Sequence, residues 1–183
     1  MSRFSKGSET FLELATPESF GQLKDEWASQ AIKYDDDSYA EAYLQHAESI
    51  IAKPCEGRPR GTFYGIFILK DSASNCLGMA HFNRAQLPKT AGWTLRTVWV
   101  QLAPKYDYEE LTEQEAADIV AGLLFSAIKL CREGELKSDH LKVHLQNSGD
   151  RQLAMGLARA LENDSPETKV SVRGNWLHFD NVA

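Results

Sequence analysis

The chain has 183 residues, of which 43% are hydrophobic and 25% charged, and its formal net charge is −6. This length suits one domain with a sizeable core and is short for two, so we expect a single domain over residues 1–183. The net negative charge, with Lys and Arg scattered singly, argues against nucleic acid as a partner. No apolar run is long enough to span a membrane.

The N-terminus and the cysteines indicate the compartment. Residues 1–9 are polar and lack the apolar core of a signal peptide, so we expect a loose arm and a cytoplasmic protein. Cys55, Cys76 and Cys131 are odd in number and far apart, which suits reduced thiols. We therefore predict no disulfide, no structural zinc and no other metal site.

The first elements are predicted to be a strand and two helices. Residues 11–15 alternate apolar and polar, as in a strand, and Thr16 and Pro17 are a good N-cap and first residue for a helix. Ser38 and Glu41 have the spacing of a capping box for a second helix. The buried residues predicted for the first helix are Phe20, Leu23 and Trp27, and those for the second are Tyr39, Tyr43, His46, Ala47 and Ile50.

Three apolar stretches follow as strands. They cover residues 62–70, 76–82 and 94–102, and the turn-rich residues 71–75 between the first two predict a hairpin. The first stretch is apolar almost throughout, which is typical of a strand covered on both faces. We therefore expect a sheet with a buried centre.

A long helix and further elements complete the chain. Thr112 and Glu115 form a second capping box, and the helical pattern after them ends near Gly134. The remaining predictions are a strand at 140–146, a helix at 148–163 and a hairpin turned at Gly174 and Asn175. The predicted fold class is α/β (α+β), with the element order β-α-α-β-β-β-α-β-α-β-β.

This order, together with two local motifs, resembles the GNAT N-acetyltransferases over nearly the whole chain. VQLAPKY at 100–106 is similar to the end of the family's fourth strand, and LKVHLQN at 141–147 is similar to its fifth. The resemblance implies a mixed central sheet with flanking helices and acetyl-coenzyme A as cofactor, its pantetheine arm paired with the backbone of the fourth strand. The cofactor-binding residues that it implies are Val100, Leu102, Lys105, Tyr106 and Asn147.

The chain departs from the family pattern where a glycine-rich turn normally wraps the pyrophosphate. Residues 107–111, DYEEL, contain no glycine there, although glycine lets a backbone approach an anion closely. The carboxylates of Asp107, Glu109 and Glu110 would repel a pyrophosphate. One interpretation is a modified or lost cofactor site, and the other is a helix start whose acids complement the dipole. The two are compatible.

Two histidines are candidates for the general base. His81 and His144 lie on predicted strands and are the type of side chain that titrates near neutral pH, although a strand histidine is more often structural. Ala154 stands where many GNAT enzymes carry a tyrosine as general acid. His140 shares a strand face with His144, but two histidines alone are a weak metal signal.

Two function classes remain open. The first is an N-acetyltransferase in which a small-molecule or peptide amine attacks the acyl-CoA thioester directly. Residues 35–37, DDD, would attract a cationic amine or form a solvated loop. The second is a catalytically inactive GNAT-fold binding module that has lost the cofactor. We expect no membrane partner, and a homodimer is left open.

Overall fold

The structure is a computed structural model. Its description covers residues 10–53, 60–109, 111–146, 149, 151–152, 154–156 and 169–182. The predicted arm at 1–9 and most of the predicted helix at 148–163 lie outside the described residues, as do Cys55, Glu110 and Asn147. Those of residues 148–163 that are described are helical.

In the described part of the chain, seven strands form one mixed sheet. Their hydrogen-bonded order is β1-β2-β3-β4-β5-β7-β6. β4 and β5 are parallel, whereas the pairs β1 with β2, β5 with β7 and β6 with β7 are antiparallel. The strands are β1 (Phe11–Leu14), β2 (Phe63–Lys70), β3 (Cys76–Ala85), β4 (Thr94–Leu102), β5 (His140–His144), β6 (Lys169–Arg173) and β7 (Trp176–Asp180).

In the described residues before β5, the helices follow the predicted order with one addition, the short helix α3. They are α1 (Pro17–Ala31), α2 (Glu41–Ala52), α3 (Pro104–Tyr108) and α4 (Glu113–Arg132), with 3-10 turns at Ile32–Tyr34 and Gly134–Leu136. The predicted fold class, a mixed sheet with flanking helices, is confirmed. Among the described residues, no helix combines the length and the apolar character needed to cross a bilayer.

The start of α1 is determined locally. Thr16 is the N-cap, its hydroxyl accepts the amide hydrogen of Ser19 at 3.2 Å, and the Ser19 hydroxyl accepts that of Thr16 at 2.9 Å. Pro17 occupies the first turn, where its missing amide hydrogen costs nothing. The predicted buried residues are confirmed: Phe20, Leu23 and Trp27 are at most 3% exposed.

The predicted capping box of α2 is wrong. Asp36 Oδ1 lies 3.0 Å from both the amide nitrogen and the hydroxyl of Ser38, so this serine belongs to a turn around the aspartate. The helix begins instead after Ala40, whose φ is +54° and which provides no side-chain cap. Of its five predicted buried residues, Ala47 is buried, His46 is exposed, and the others are half-buried.

The chain groups into two compact units. Unit 1 comprises Met1–Pro54, Gly65–His81 and Val100–Ser126. In this unit β1 pairs with β2, and the Ala15 amide continues the ladder by donating to Ile66 O at 2.8 Å. The fully buried side chains of unit 1 include Leu23, Trp27, Ile66, Ile68, Leu69 and Met79.

Unit 2 comprises Cys55–Tyr64, Phe82–Trp99 and Ala127–Ala183. It contains the parallel register of β4 and β5, from Thr94 opposite His140 to Thr97 opposite Val143. β4 and β5 are therefore adjacent and parallel. β5 ends at His144, two residues before the predicted boundary, and the Leu145 amide donates to Asn175 O in the β6–β7 turn at 2.9 Å.

Candidate functional site

The end of β4 and the residues after it hold most of the predicted cofactor-binding positions, all within unit 1. Val100 and Leu102 are half-buried in the last residues of β4. The Ala103 amide donates to Leu77 O on β3 at 3.0 Å, and buried Pro104 then begins α3. Lys105 and Tyr106 are therefore on a helix and not in an extended loop.

Two backbone amides of α3, and the amide that follows it, donate hydrogen bonds within unit 1. The Tyr106 amide donates to Ala103 O at 2.9 Å and the Glu109 amide to Lys105 O at 3.0 Å. The Lys105 amide donates to the side chain of Gln30 at 3.4 Å. A glycine-rich turn would leave such amides facing an anion, so this short helix replaces an amide cradle with internal hydrogen bonds.

The start of α4 repeats this pattern and confirms the predicted capping box. The Glu115 amide donates to the Thr112 hydroxyl at 3.2 Å, and the Thr112 amide donates to the Glu115 carboxylate at 3.0 Å. The hydrogen bond from the Thr112 side chain lowers the pKa of Glu115 below its usual value. Two amides at this helix start are thus satisfied by side chains of the same turn.

Three tyrosine hydroxyls donate to carboxylates between the α1–α2 connection and the segment after β4. Tyr34 donates to Glu109 at 2.5 Å and Tyr39 to Asp107 at 2.5 Å. In the opposite direction along the chain, Tyr108 donates to Asp36. We call this group the tyrosine-carboxylate cluster; its members are Tyr34, Asp36, Tyr39, Asp107, Tyr108 and Glu109.

Tyr39 lies at the centre of this cluster. Its hydroxyl is also 2.8 Å from Leu102 O, the last carbonyl of β4, and Gln101 donates to it at 2.9 Å. Gln101 also donates to Asp107 at 3.0 Å, which closes a small network. Burial first and the Asp107 hydrogen bond second raise the pKa of Tyr39 far above its usual value. The hydroxyl therefore stays protonated at physiological pH and can donate a hydrogen bond.

The tyrosine rings of the cluster also contact one another. The rings of Tyr34 and Tyr108 stack with centroids 4.7 Å apart, and the Tyr39 ring lies 5.7 Å from that of Tyr108. The Tyr108 hydrogen bond lowers the pKa of Asp36, and the Glu109 hydrogen bond raises the pKa of Tyr34. Asp107 and Glu109, two of the three acids predicted to repel a pyrophosphate, thus have neutral hydroxyl partners.

The cluster predicts a pH window for its contribution to stability. Because the pKa of Asp36 is lowered on folding, its contribution is present above about pH 4 and is lost as the pH falls. The pKa of Tyr108 is raised, so its contribution is lost as the pH rises beyond about 10. The melting temperature of Tyr108→Phe should therefore differ most from wild type between those limits. A difference that is constant from pH 3 to pH 11 would contradict this prediction.

Comparison with known proteins identifies the fold through solved structures but finds no match in sequence. No family model matches the chain, and neither does any curated protein sequence. An acetyltransferase from Corynebacterium glutamicum, described as histone acetyltransferase HPA2 and related acetyltransferase, superposes with a TM-score of 0.50 at 15% identity, covering 94% of this chain and 96% of that one. The chain has the GNAT fold.

Two further structures resemble this GNAT-fold protein less closely. One is an acetyltransferase of the GNAT family from Staphylococcus aureus, with a TM-score of 0.42, 11% identity, and coverage of 95% of this chain and 99% of that one. The other is a fungal multi-domain β-N-acetylglucosaminidase with a GCN5-related glucosamine N-acetyltransferase region, with a TM-score of 0.43 and 10% identity. The match covers 91% of this chain and 18% of the fungal one.

The two candidate histidines of the GNAT-fold protein lie in different units. His81, on β3 in unit 1, is 4% exposed, and its ring contacts that of His46 at 5.6 Å. His144, the last residue of β5 in unit 2, is half-buried, with its ring 4.9 Å from that of Trp176. His140 bonds to Asp180 at 2.8 Å. Within the described residues, no three His, Cys, Asp or Glu side chains converge as a metal site requires.

Sequence reasoning missed Tyr34, Tyr39 and Gln101 as parts of the region after β4. Tyr39 was assigned to a buried helix stripe, and the other two received no role. The available signal was weak: tyrosines and acids alternate in both KYDDDSY at 33–39 and KYDYEE at 105–110 of this GNAT-fold protein. Only their pairing in space gives those two stretches a common role.

Proposed function

We propose that this chain is an N-acetyltransferase that transfers an acyl group from acyl-CoA to an amine by direct attack. The acceptor would be a small-molecule or peptide amine. The tyrosine-carboxylate cluster carries this proposal, because Asp107 and Glu109 are directed to Tyr39 and Tyr34. Tyrosine hydroxyls of the α1–α2 connection therefore donate to both carboxylates and stabilise their negative charge. This weakens the main objection to a pyrophosphate beside α3, which is that these acids would repel it.

The cofactor contacts would come from the end of β4 and from side chains. Val100 and Leu102 would pair through their backbone with the pantetheine arm. Because the amides of Lys105 and Tyr106 are already bonded, the phosphates would contact the Lys105 ammonium, which lies 4.6 Å from the Tyr106 ring centroid. When bound, acyl-CoA supplies the thioester carbonyl that the amine attacks.

His144 is the better of the two candidates for the general base. A base must reach the amine directly or through one water, and His144 is only half-buried. His81 is 4% exposed, so it would need a change in β3 to reach an acceptor. Asp35 and Asp37 are exposed and would favour a cationic amine nearby, whereas Asp36 is engaged by Tyr108.

A second candidate function is a GNAT-fold binding module without cofactor. The specific observation in its favour is that the amides of Lys105, Tyr106, Glu109, Thr112 and Glu115 all donate within unit 1. Binding a pyrophosphate through this backbone would require breaking those bonds, each of which contributes about 0.5–1.5 kcal/mol. Fold alone does not decide between the two functions.

Calorimetric titration with acetyl-CoA tests the proposal. We expect micromolar binding by the wild type, and about tenfold weaker binding by Lys105→Gln because that ammonium is the proposed phosphate contact. The matched control is Lys33→Gln, which removes an exposed charge from the α1–α2 connection and should leave the affinity unchanged. Absence of binding by folded wild-type protein would favour the module.

A second titration addresses the acids. In Asp107→Asn/Glu109→Gln, the replaced side chains can still accept the tyrosine hydrogen bonds, so we expect the affinity to change less than threefold at both low and high salt. If neutralisation instead tightens binding strongly at low salt, where screening is weak, the carboxylates oppose the cofactor and the cluster does not remove their effect.

A further inference from the structure

One face of the sheet in unit 2 carries a row of basic side chains. Arg96 on β4 is in register with Lys142 on β5, and Lys142 is in register with His178 on β7. Neighbouring strands are about 4.8 Å apart, and residues in register share a face. Arg173 on β6 belongs to the next row, opposite Trp176. We call Arg96, Lys142, Arg173 and His178 the basic band.

The alternation along β5 and β7 shows which face this is. Leu141, Val143, Leu177 and Phe179 point into the core and are at most 7% exposed. The residues between them point to the opposite face, where His140 and Asp180 meet at 2.8 Å. Arg96, Lys142 and His178 are half-buried on this face and Arg173 is exposed. The basic band is therefore part of the regular sheet, and solvent still reaches it.

The charge of the band is not neutralised within the described part of the chain. There, none of Arg96, Lys142 and Arg173 forms an ion pair. Asp180, the acid of this face, bonds to His140, and Arg96 Nε donates to the neutral side chain of Asn83 at 2.6 Å. Like charges in register destabilise a sheet, so the fold holds these cations together at a cost.

The electrostatics of the band agree with this geometry. Desolvation lowers the pKa of Lys142, and the neighbouring Arg96 and Arg173 lower it further, against the opposing effect of Asp180. Desolvation also lowers the pKa of His178, with further lowering by Lys142 and Arg173. Desolvation is the larger cause of both shifts, and the neighbouring cations add to it. An anion placed on the band would relieve this repulsion.

We infer that the basic band is a docking surface for an acidic peptide segment. From Arg96 to His178 the row crosses two strand intervals, or about 10 Å, which is longer than one phosphate can bridge but suits a chain with several carboxylates. A nucleic acid would extend beyond the band over a protein of net charge −6 and be repelled there. A short acidic segment would contact only the basic band and would avoid this repulsion. Its binding requires no cofactor.

Fluorescence anisotropy with a labelled hexaglutamate peptide at low salt tests this inference. We expect binding that hexaglutamine and hexalysine do not show, and at least tenfold weaker binding by Lys142→Gln/Arg173→Gln. The matched control is Lys33→Gln/Lys53→Gln, which makes the same charge change at exposed positions of unit 1. It should bind within twofold of wild type. Lys142→Arg/Arg173→Lys keeps the charges and should retain binding.

Several outcomes would overturn the inference. Hexaglutamate binding no tighter than that of hexaglutamine would do so, as would equal losses in the band variant and the control. If a 12-nucleotide single strand binds more tightly than the peptide and depends on Lys142 and Arg173, the surface is a nucleic-acid site instead. Thermal melting of each variant shows whether a loss of binding is caused by unfolding. Titration with acetyl-CoA is separate, so failure here leaves the proposed function untouched.

Discussion

Gly92→Ala is expected to lower the free energy of unfolding by about 3 kcal/mol or more. Gly92 has φ of +82°, and a Cβ placed on it would lie 2.2 Å from Asp139 Oδ2. The same oxygen accepts the Trp93 amide at 2.8 Å. A methyl group would therefore add left-handed strain and also displace the carboxylate that fixes the start of β4 beside β5. Urea denaturation followed by circular dichroism measures the loss.

Gly134→Ala is the matched control for this substitution. Gly134 also has positive φ, +72°, but a Cβ there would meet no atom within 4 Å. We expect it to cost only the backbone strain, about 1–2 kcal/mol. Equal losses in the two variants would show that the Asp139 side chain moves away freely and that its bond to Trp93 contributes little.

Removing the three hydroxyls of the tyrosine-carboxylate cluster should expose the segment after β4. In Tyr34→Phe/Tyr39→Phe/Tyr108→Phe the rings and their stacking remain, but Asp36, Asp107 and Glu109 lose their donors. We expect at least tenfold faster amide hydrogen exchange in residues 105–109, because those hydrogen bonds hold α3 to the α1–α2 connection. The same variant should bind acetyl-CoA more weakly, since the released carboxylates can then face the phosphates.

The control for this experiment is Tyr106→Phe, a tyrosine of the same helix whose ring contacts Lys105. Its exchange rates should equal those of wild type, and the buried turn of α4 around Leu123 and Leu124 should exchange slowly in every variant. Unchanged exchange in the triple variant would mean that packing and the α3 backbone bonds alone hold this segment.

Local signals in the sequence predicted the elements well where nothing distant competes. Thr112 and Glu115 form the expected capping box because both partners lie within one helical turn. Ser38 and Glu41 have the same spacing, but the amide and hydroxyl of Ser38 donate to the Asp36 carboxylate instead. A motif three residues long cannot reveal such a competitor. The strands could be placed along the chain because each is a short apolar or alternating run bounded by turn residues.

The site depends on contacts between residues that are far apart in the sequence, and local sequence patterns do not reveal such contacts. Tyr34 and Glu109 are 75 residues apart, Tyr39 and Asp107 are 68 apart, and Asp36 and Tyr108 are 72 apart. The acids after β4 could therefore be recognised as a departure from the GNAT pattern, but their partners could not. The basic band was hidden for the same reason, since strand register alone brings its members together.

The two buried cysteines give each compact unit its own chemical reporter. Cys76 in unit 1 and Cys131 in unit 2 are 5% and 0% exposed, and burial raises the pKa of each thiol to about 12. Because the thiolate is the species that alkylating reagents attack, neither should react at neutral pH until its surroundings open. Pulsed alkylation with peptide mapping would thus time the opening of the two units separately in an unmodified protein, and would show whether they unfold together or one after the other.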